Sequence, residues 1–138
     1  MATVVGLFVS PGRGTGRSEA RERVQAIERH GLVGCAHANP PRREVLLASK
    51  EHLDAVGVEP GAIRENVTVE GADVQVWAVG QRVQVGAALL EITMVCDPCS
   101  RMDDLRSGLR AEIDGKRGML AAVVEGGEIA LGDSVALA

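Results

Sequence analysis

Many short apolar runs, rich in β-branched residues and separated by glycines, dominate the sequence. Such runs favour the pleated strand, and the glycines between them favour turns. The predicted strands cover residues 3–10, 44–48, 63–71, 74–79, 82–85, 89–95, 119–124, 128–131 and 133–137, with a Gly126-Gly127 hairpin signal before the last two. Alternating strand–helix–strand units are absent, so a doubly wound sheet is not expected. The pattern predicts a mainly β fold with a few short helices, a closed or nearly closed β-barrel whose closure removes exposed sheet edges.

One short helix and one ambiguous segment interrupt the strands in the first half of the chain. Ser49 is a good helix N-cap and Gly57 is a good C-terminal stop, which together predict a helix over 49–56. The apolar residues within 19–29 suit a helix, but 23–28 also suits a strand. Both interpretations of this segment stay open.

The totals limit the class of protein. With 138 residues the chain has the length of one domain, and we treat 1–138 as a single domain with a sizeable core. Phe8 and Trp77 are its only aromatic residues, which leaves no stacking platform for nucleic acid. A net charge of −4 at pH 7 also argues against a nucleic-acid partner.

The cellular location is inferred from what the sequence lacks. No apolar run approaches the roughly 20 residues that span a membrane, so no membrane partner is expected. The three cysteines are an odd number, and Met1 leads into the first strand without a signal peptide. These features predict a cytoplasmic protein, in a compartment where thiols stay reduced.

Cys96 and Cys99 enclose a short turn at the end of an apolar run. Beyond Pro98, apolar residues at near-helical spacing predict a helix over 100–113, with Ser100 as its cap. Cys99 would then lie at a helix start, where unpaired N–H groups and the positive end of the dipole favour a thiolate.

Three interpretations of this cysteine pair stay open. The pair can be a turn with two small buried thiols, because cysteine often packs as a small hydrophobic residue. It can be half of a zinc site that Cys35 and His37 complete, although their one-residue spacing is unusual for such a site. It can also present a reactive or metal-binding thiolate, which the predicted helix start favours.

Polar residues stand directly before one of the predicted strands. Arg64, Glu65 and Asn66 precede a β-branched run, which suggests side chains fixed at a strand entrance. A surface salt bridge is the alternative interpretation for Arg64 and Glu65. Residues 115–118, with the sequence Gly-Lys-Arg-Gly, predict a basic turn before the strand at 119–124.

Four blocks, taken in their order, resemble the MOSC domain, the module named after the C-terminal part of molybdenum cofactor sulfurase. They are Gly34-Cys35-Ala36-His37, the segment 60–69 around Arg64-Glu65-Asn66, Pro98-Cys99, and Arg117-Gly118 followed by 127–135. The blocks extend over nearly the whole chain. The chain therefore resembles a stand-alone MOSC protein that lacks the cysteine-desulfurase domain of the full sulfurase.

The resemblance implies a β-barrel that binds the molybdenum cofactor, a molybdopterin. In relatives the thiol that matches Cys99 ligates molybdenum or is proposed to carry sulfur, so Cys99 is the implied catalytic residue and metal ligand. Contacts to the pterin or its phosphate are implied for Arg64, Asn66, His37 and Arg117. One ligand would need these groups within its own span, so we expect them to converge near Cys99.

The implied activity is either sulfur transfer or the reduction of N-hydroxylated compounds. A sulfurtransferase would work with a cysteine desulfurase and a small sulfur acceptor, and a molybdenum-dependent reductase would need an electron-transfer partner. Pyridoxal phosphate belongs to the other domain of the sulfurase and is not expected here. The alternatives are a non-catalytic module that binds or delivers the cofactor, and a zinc-stabilised structural domain.

Two cysteines depart from the family pattern. Cys35 stands where the family has the Asp of its Gly-Asp-x-His segment. Cys96 lies outside the core pattern, and it could either resolve a persulfide or sulfenate on Cys99 or be inert core.

Overall fold

The computed structural model describes residues 2–10, 18–35 and 44–138. Its strands are β1 (Ala2–Val9), β2 (Glu19–Ala20), β3 (Arg23–Ile27), β4 (Gly31–Leu32), β5 (Val45–Ser49), β6 (Val67–Glu70), β7 (Arg82–Val85), β8 (Ala88–Val95), β9 (Met119–Glu125), β10 (Gly127–Ala130) and β11 (Ser134–Leu137). Its helices are α1 (Lys50–Val56), α2 (Arg101–Leu105) and α3 (Leu109–Glu112), and a 3-10 turn covers Val74–Val76. Within these ranges, none of the helices has the length and apolar character that a membrane crossing requires.

The strands close into a barrel, which confirms the predicted fold class. Seven strands pair in the order β11-β7-β8-β9-β5-β6-β1, and pairing of β11 with β1 closes the ring, with Ala2 opposite Val135. The β5–β6 pair is parallel, and the other pairs of the ring are antiparallel. Short β2 adds to the far end of β1, and β10, β3 and β4 form a separate small sheet.

Apolar side chains fill the inside of the barrel. Val45 and Leu47 of β5 belong to this interior cluster together with Val67 and Val69 of β6, and all four are fully buried. A small closed barrel has an interior just wide enough for such side chains. A ligand therefore has to bind outside the barrel.

The outer face of β5 carries two further apolar clusters, because successive side chains of a strand point to opposite faces. Ala48 packs with residues of all three helices, in a cluster of Ala48, Leu53, Val56, Ile63, Met102, Leu109 and Ile113. Leu46 packs with Cys96 and Leu120. The helices and the loop after β8 thus cover one side of the barrel, and the outer face of β5 lies beneath them.

The second half of the ambiguous segment 19–29 and the strand that begins at Gly127 belong to the small sheet. Residues 23–28 adopt the strand interpretation, since β3 pairs with β10 and β4. The hairpin predicted at Gly126-Gly127 is wrong, because β10 pairs with β3 while β8 and β5 occupy both edges of β9. Instead, glycine at 127 allows a close backbone approach, as a Cβ there would lie 2.4 Å from the carbonyl oxygen of Ala87.

The strand predicted over 74–79 is also wrong. Asp73 accepts a hydrogen bond from the backbone N–H of Gln75 at 2.9 Å, and this contact starts the 3-10 turn. Such local side-chain contacts compete with sheet pairing. The strand predicted over 63–71 begins only at Val67, because the backbone N–H of Arg64 closes a turn onto the carbonyl of Gly61.

The two predicted helices differ in outcome. The helix over 49–56 is confirmed as α1, and Gly57 ends it in the left-handed conformation with φ of 72°. Ser49 stands at the N-cap position, but its hydroxyl bonds to Ala72 and Val74 and makes no capping hydrogen bond in the described part of the chain, so the predicted side-chain cap is wrong. The helix over 100–113 is divided into α2 and α3, because Gly108 between them takes φ of 86°. The Ser100 side chain makes no capping hydrogen bond within the described residues, so the predicted cap is wrong.

Candidate functional site

Asn66 ties three segments together at the entrance of β6. It is buried, and its Oδ1 accepts a hydrogen bond from the backbone N–H of Leu46 at 2.9 Å. Its Nδ2 donates to the carbonyl of Phe8 at 3.1 Å and to Cys35 Sγ at 3.4 Å. The amide thus links β5, β1 and the end of the segment 18–35, and it sets how the outer face of β5 is built.

Cys35 acts as a hydrogen-bond acceptor in this group. Its buried Sγ receives the backbone N–H of Ser10 at 3.4 Å as well as Nδ2 of Asn66. A carboxylate at this position would accept hydrogen bonds from the same donors. The cysteine can therefore replace the Asp of the family pattern as a hydrogen-bond acceptor. His37, the predicted ligand contact two residues further on, lies outside the described residues.

Arg64 occupies an unusual backbone conformation. Its φ is 65°, in the left-handed region, which costs a residue with a Cβ about 1–2 kcal/mol. The side chain is half-buried, and it forms no ion pair within the described part of the chain. Strain of this kind is found at functional sites, where the surrounding structure holds it in place.

Glu65 supplies the group that holds this turn, and sequence reasoning missed its role. The residue is fully buried, which corrects the surface salt bridge considered for it. Its Oε2 accepts the backbone N–H of Gly61 at 2.9 Å and the hydroxyl of Thr68 at 2.7 Å. Burial raises the pKa of the Glu65 carboxyl above its usual range, although these hydrogen bonds and the charge of Arg117 act in the opposite direction.

Arg117 is the second buried charged residue of the site. It is 7% exposed, and its Nε and Nη1 are enclosed without a hydrogen-bond partner among the described residues. Oε1 of Glu65 likewise has no hydrogen-bond partner in that part of the chain, and the charge of Arg117 acts on the Glu65 carboxyl. Burying unpaired donors of a cation is costly, so this guanidinium is a candidate for holding an anion.

The backbone of Gly118 fixes the position of Arg117. Its N–H donates to Oε1 of Gln75, and its carbonyl accepts the N–H of Cys96 at 3.0 Å. The predicted basic turn therefore exists, but its arginine points into the protein and not to solvent.

The two cysteines of the central turn have different surroundings. Cys96 is 8% exposed and packs against Leu46 and Leu120, so it resembles a small core residue. Cys99 is exposed, and its carbonyl accepts the N–H of Met102 at 3.0 Å. The helix that follows is only five residues long, so the helix-start argument for a thiolate at Cys99 loses most of its force.

The outer face of β5 brings several of these groups together. Asn66 is bonded to Leu46, and Leu46 packs against Cys96. Arg117 precedes the glycine that is hydrogen-bonded to Cys96. Cys99 follows Cys96 by three residues, which is no more than about 11 Å along an extended chain. Convergence of Arg64, Asn66, His37 and Arg117 around one ligand near Cys99 remains a prediction.

A depression lies at the start of α1. It is lined by Ser49, Glu51, His52, Gly71, Ala72 and Asp73. His52 Nε2 and Asp73 Oδ1 are 2.8 Å apart. This contact and the hydrogen bond from the N–H of Gln75 lower the pKa of Asp73, although burial acts in the opposite direction. The Ser49 hydroxyl already donates to the carbonyl of Ala72 and accepts from the N–H of Val74, so it is not poised as a nucleophile.

Metal-ligating residues do not cluster in the described part of the chain. Over residues 2–10, 18–35 and 44–138, no three or more His, Cys, Asp or Glu side chains are placed to hold a metal ion. The zinc interpretation required Cys35, Cys96 and Cys99 to meet, and these described residues do not form such a group.

Comparisons with known proteins agree with this architecture. A family model described as MOSC domain matches residues 35–136. The YuaD protein from Bacillus subtilis is 21% identical, with a TM-score of 0.83 over 98% of this chain and 94% of that one. YiiM from Geobacillus stearothermophilus is 20% identical, with a TM-score of 0.78 over 100% of this chain and 75% of that one.

A further similar structure is YiiM from Escherichia coli, 18% identical, with a TM-score of 0.77 over 100% of this chain and 70% of that one. At these identities the likeness between structures establishes the fold alone. A search of curated proteins found no match.

Proposed function

Because the chain belongs to the MOSC domain family, we propose that it binds a molybdenum–pterin ligand on the outer face of its barrel and acts through Cys99. The observation that carries this proposal is Arg117, a buried guanidinium with two enclosed donors that meet no acceptor in the described part of the chain. A phosphate group would satisfy them, because guanidinium offers phosphate a planar fork of donors.

The described residues fit the two parts of such a ligand. For the phosphate, Arg117 has hydrogen-bond donors that no described residue uses. Arg64 lies in the turn that Glu65 holds, and the charge of Arg117 acts on Glu65. For the metal, Cys99 offers an exposed thiol, and thiolates are suitable ligands for soft metal centres. When bound, the molybdenum centre would supply redox chemistry for the reduction of N-hydroxylated compounds.

The protein's own groups would divide the remaining tasks. Arg117 and Arg64 would bind and orient the anionic end of the ligand, with His37 as a further contact. Asn66 has its Oδ1 and both Nδ2 protons engaged by protein atoms, so its contribution is to hold the surface in shape. A reductase would also need an electron-transfer protein as a partner.

Sulfur transfer is the second form of the proposal. Cys99 would receive sulfur as a persulfide from a cysteine desulfurase and pass it to a small acceptor. Its exposure supports this form, because a carrier thiol has to reach two partners in turn. Both forms suit a reducing cytoplasm, and the three cysteines, all within the described ranges, form no disulfide with one another.

Alkylation followed by peptide mass mapping tests the role of Cys99. In the protein without ligand, Cys99 should react with iodoacetamide faster than Cys35 or Cys96, because it is exposed and they are buried. Bound molybdenum–pterin ligand should protect it. Cys99→Ser should abolish molybdenum ligation or persulfide formation while changing the free energy of unfolding by no more than about 0.5 kcal/mol.

Cys96→Ser is the matched control, since it changes the other thiol of the same turn. It should leave ligation and persulfide formation largely intact, although it places a hydroxyl in a cluster with Leu46 and Leu120. If Cys99→Ser still binds the ligand with unchanged affinity, Cys99 is not the metal ligand. The protein is then a module that binds or delivers the cofactor.

A further inference from the structure

The two oxygens of the Glu65 carboxyl have different surroundings. Oε2 connects the two ends of one segment, because it accepts the N–H of Gly61 and the hydroxyl of Thr68. Arg64, with its left-handed backbone, lies inside this segment. Among the described residues Oε1 is buried without a hydrogen-bond partner, and the charge of Arg117 acts on the carboxyl group. One side chain thus holds the turn that carries Arg64 and interacts electrostatically with the buried arginine.

We propose that Glu65 is a positioning residue of the anion site: one carboxyl oxygen fixes the turn that presents Arg64, and the other competes with a bound anion for Arg117. This inference rests on the proposed function, because it takes Arg117 to be the anion-binding group. It adds a residue that the predicted ligand contacts did not include. It also makes anion binding depend on whether Glu65 carries a proton.

The competition follows from charge. When Glu65 is protonated, the charge of Arg117 is available to an anion, and Nε and Nη1 can donate to it. When Glu65 is ionised, its negative charge opposes the anion in a poorly solvated place, where charges interact strongly. Because binding equilibria are reciprocal, a bound anion must in turn favour the protonated carboxyl.

Within the described residues, the groups that donate hydrogen bonds to the Glu65 carboxyl do not titrate. They are the backbone N–H of Gly61 and the Thr68 hydroxyl. Arg117 is the charged group that acts on this carboxyl. Helices α2 and α3 contribute only apolar side chains to the cluster around Ile63, while their charged residues are exposed. Burial raises the pKa of Glu65, which brings its titration towards neutral pH.

Calorimetric titration of the full chain with sodium sulfate tests the inference. Sulfate keeps its charge from about pH 5 to about pH 8, so any pH dependence belongs to the protein. At constant ionic strength, the wild-type protein should bind sulfate about tenfold more tightly at the acidic end of this range, as expected for a coupling of about one pKa unit. Glu65→Gln keeps the shape and an acceptor oxygen but has no charge to lose, so its sulfate affinity should vary clearly less with pH than that of the wild-type protein.

Thr68→Val separates positioning from charge, because it removes one hydrogen bond to Oε2 and leaves the carboxyl in place. This variant should bind sulfate several-fold more weakly at the acidic end of the range. It should keep a pH dependence, displaced to higher pH because the Thr68 hydrogen bond lowers the pKa of Glu65. Circular dichroism should first show that each variant is folded. If Glu65→Gln does not fold, the pH profile of Thr68→Val still tests the inference.

The inference is overturned if sulfate affinity of the wild-type protein is independent of pH, if Glu65→Gln keeps the wild-type dependence, or if sulfate does not bind. These outcomes differ from failure of the proposed function, which is measured by molybdenum–pterin binding and by the chemistry of Cys99. A protein that ligates molybdenum through Cys99 but shows no pH-dependent sulfate binding retains the function and loses this role of Glu65.

Discussion

At the scale of single residues, the polar side chains of the site first serve to build it. Glu65 and Asn66 meet the prediction of side chains fixed at a strand entrance, since both are buried and hydrogen-bonded there. The sequence pattern could not reveal which partners they have. Those partners, Phe8 and Leu46 among them, are distant in sequence and meet only in the folded barrel.

Asn66→Ala should destabilise the protein clearly. The substitution removes three hydrogen bonds and leaves the buried N–H of Leu46 without its acceptor, which should lower the free energy of unfolding by at least about 2 kcal/mol. Urea unfolding followed by circular dichroism measures the change. Gln84→Ala is the control, because the exposed Gln84 side chain also contacts two carbonyls, those of Gly86 and Ala88.

The Gln84→Ala change should stay within about 0.5 kcal/mol, as for most surface substitutions. Equal effects of the two substitutions would contradict the structural role assigned to Asn66.

At the scale of elements, a short β-branched run predicted a strand correctly where that run pairs with two neighbouring strands of the ring. The run at 74–79 has the same composition but forms a 3-10 turn, because Asp73 satisfies a backbone N–H locally. The helix over 100–113 was predicted from apolar spacing, yet Gly108 divides it. Composition signals a preference, and local hydrogen bonds or a glycine can override it.

Among the turn residues, Gly118 is the one on which the site depends most. A Cβ there would lie 2.3 Å from the carbonyl oxygen of Leu47, and its φ of 112° is unfavourable for any other residue. Gly118→Ala should therefore displace the start of β9 and Arg117 with it, and should cost more than about 3 kcal/mol of unfolding free energy.

Gly115→Ala is a matched control for Gly118→Ala in the same turn. Gly115 also has a positive φ, of 78°, but nothing lies within 4 Å of its Cβ position. Its substitution should cost only about 1–2 kcal/mol, from backbone strain alone. Urea unfolding of both variants, with sulfate binding to each, measures the two effects. If the two glycines prove equally tolerant, the close approach of Gly118 to β5 does not constrain the turn.

At the scale of the whole molecule, the barrel was predictable and the site was predictable only in part. The strand–glycine rhythm and the MOSC resemblance both pointed to a closed barrel, and the ring of seven strands confirms it. The burial of Glu65 and Arg117 could not be predicted, because charged residues in turns usually face solvent. Their burial is a feature of the complete fold, in which the helices and the loop after β8 cover the outer face of β5.

The buried carboxyl of Glu65 should make the stability of the whole protein depend on pH. Its pKa in the folded protein is raised, so the folded state holds this proton more tightly than the unfolded chain does. Its stabilising contribution is therefore fully present below about pH 4.5, the ordinary pKa of a glutamic acid side chain, and is lost as the pH rises through the raised pKa. Glu65→Gln cannot ionise, so the unfolding free energy of the wild-type protein should fall relative to that of Glu65→Gln as the pH increases.

Urea unfolding of both proteins over this range measures the difference, and Glu125→Gln, at an exposed position, is the control. A wild-type protein that instead gains stability relative to Glu65→Gln with rising pH would mean that attraction to Arg117 outweighs the cost of burying the ionised carboxyl.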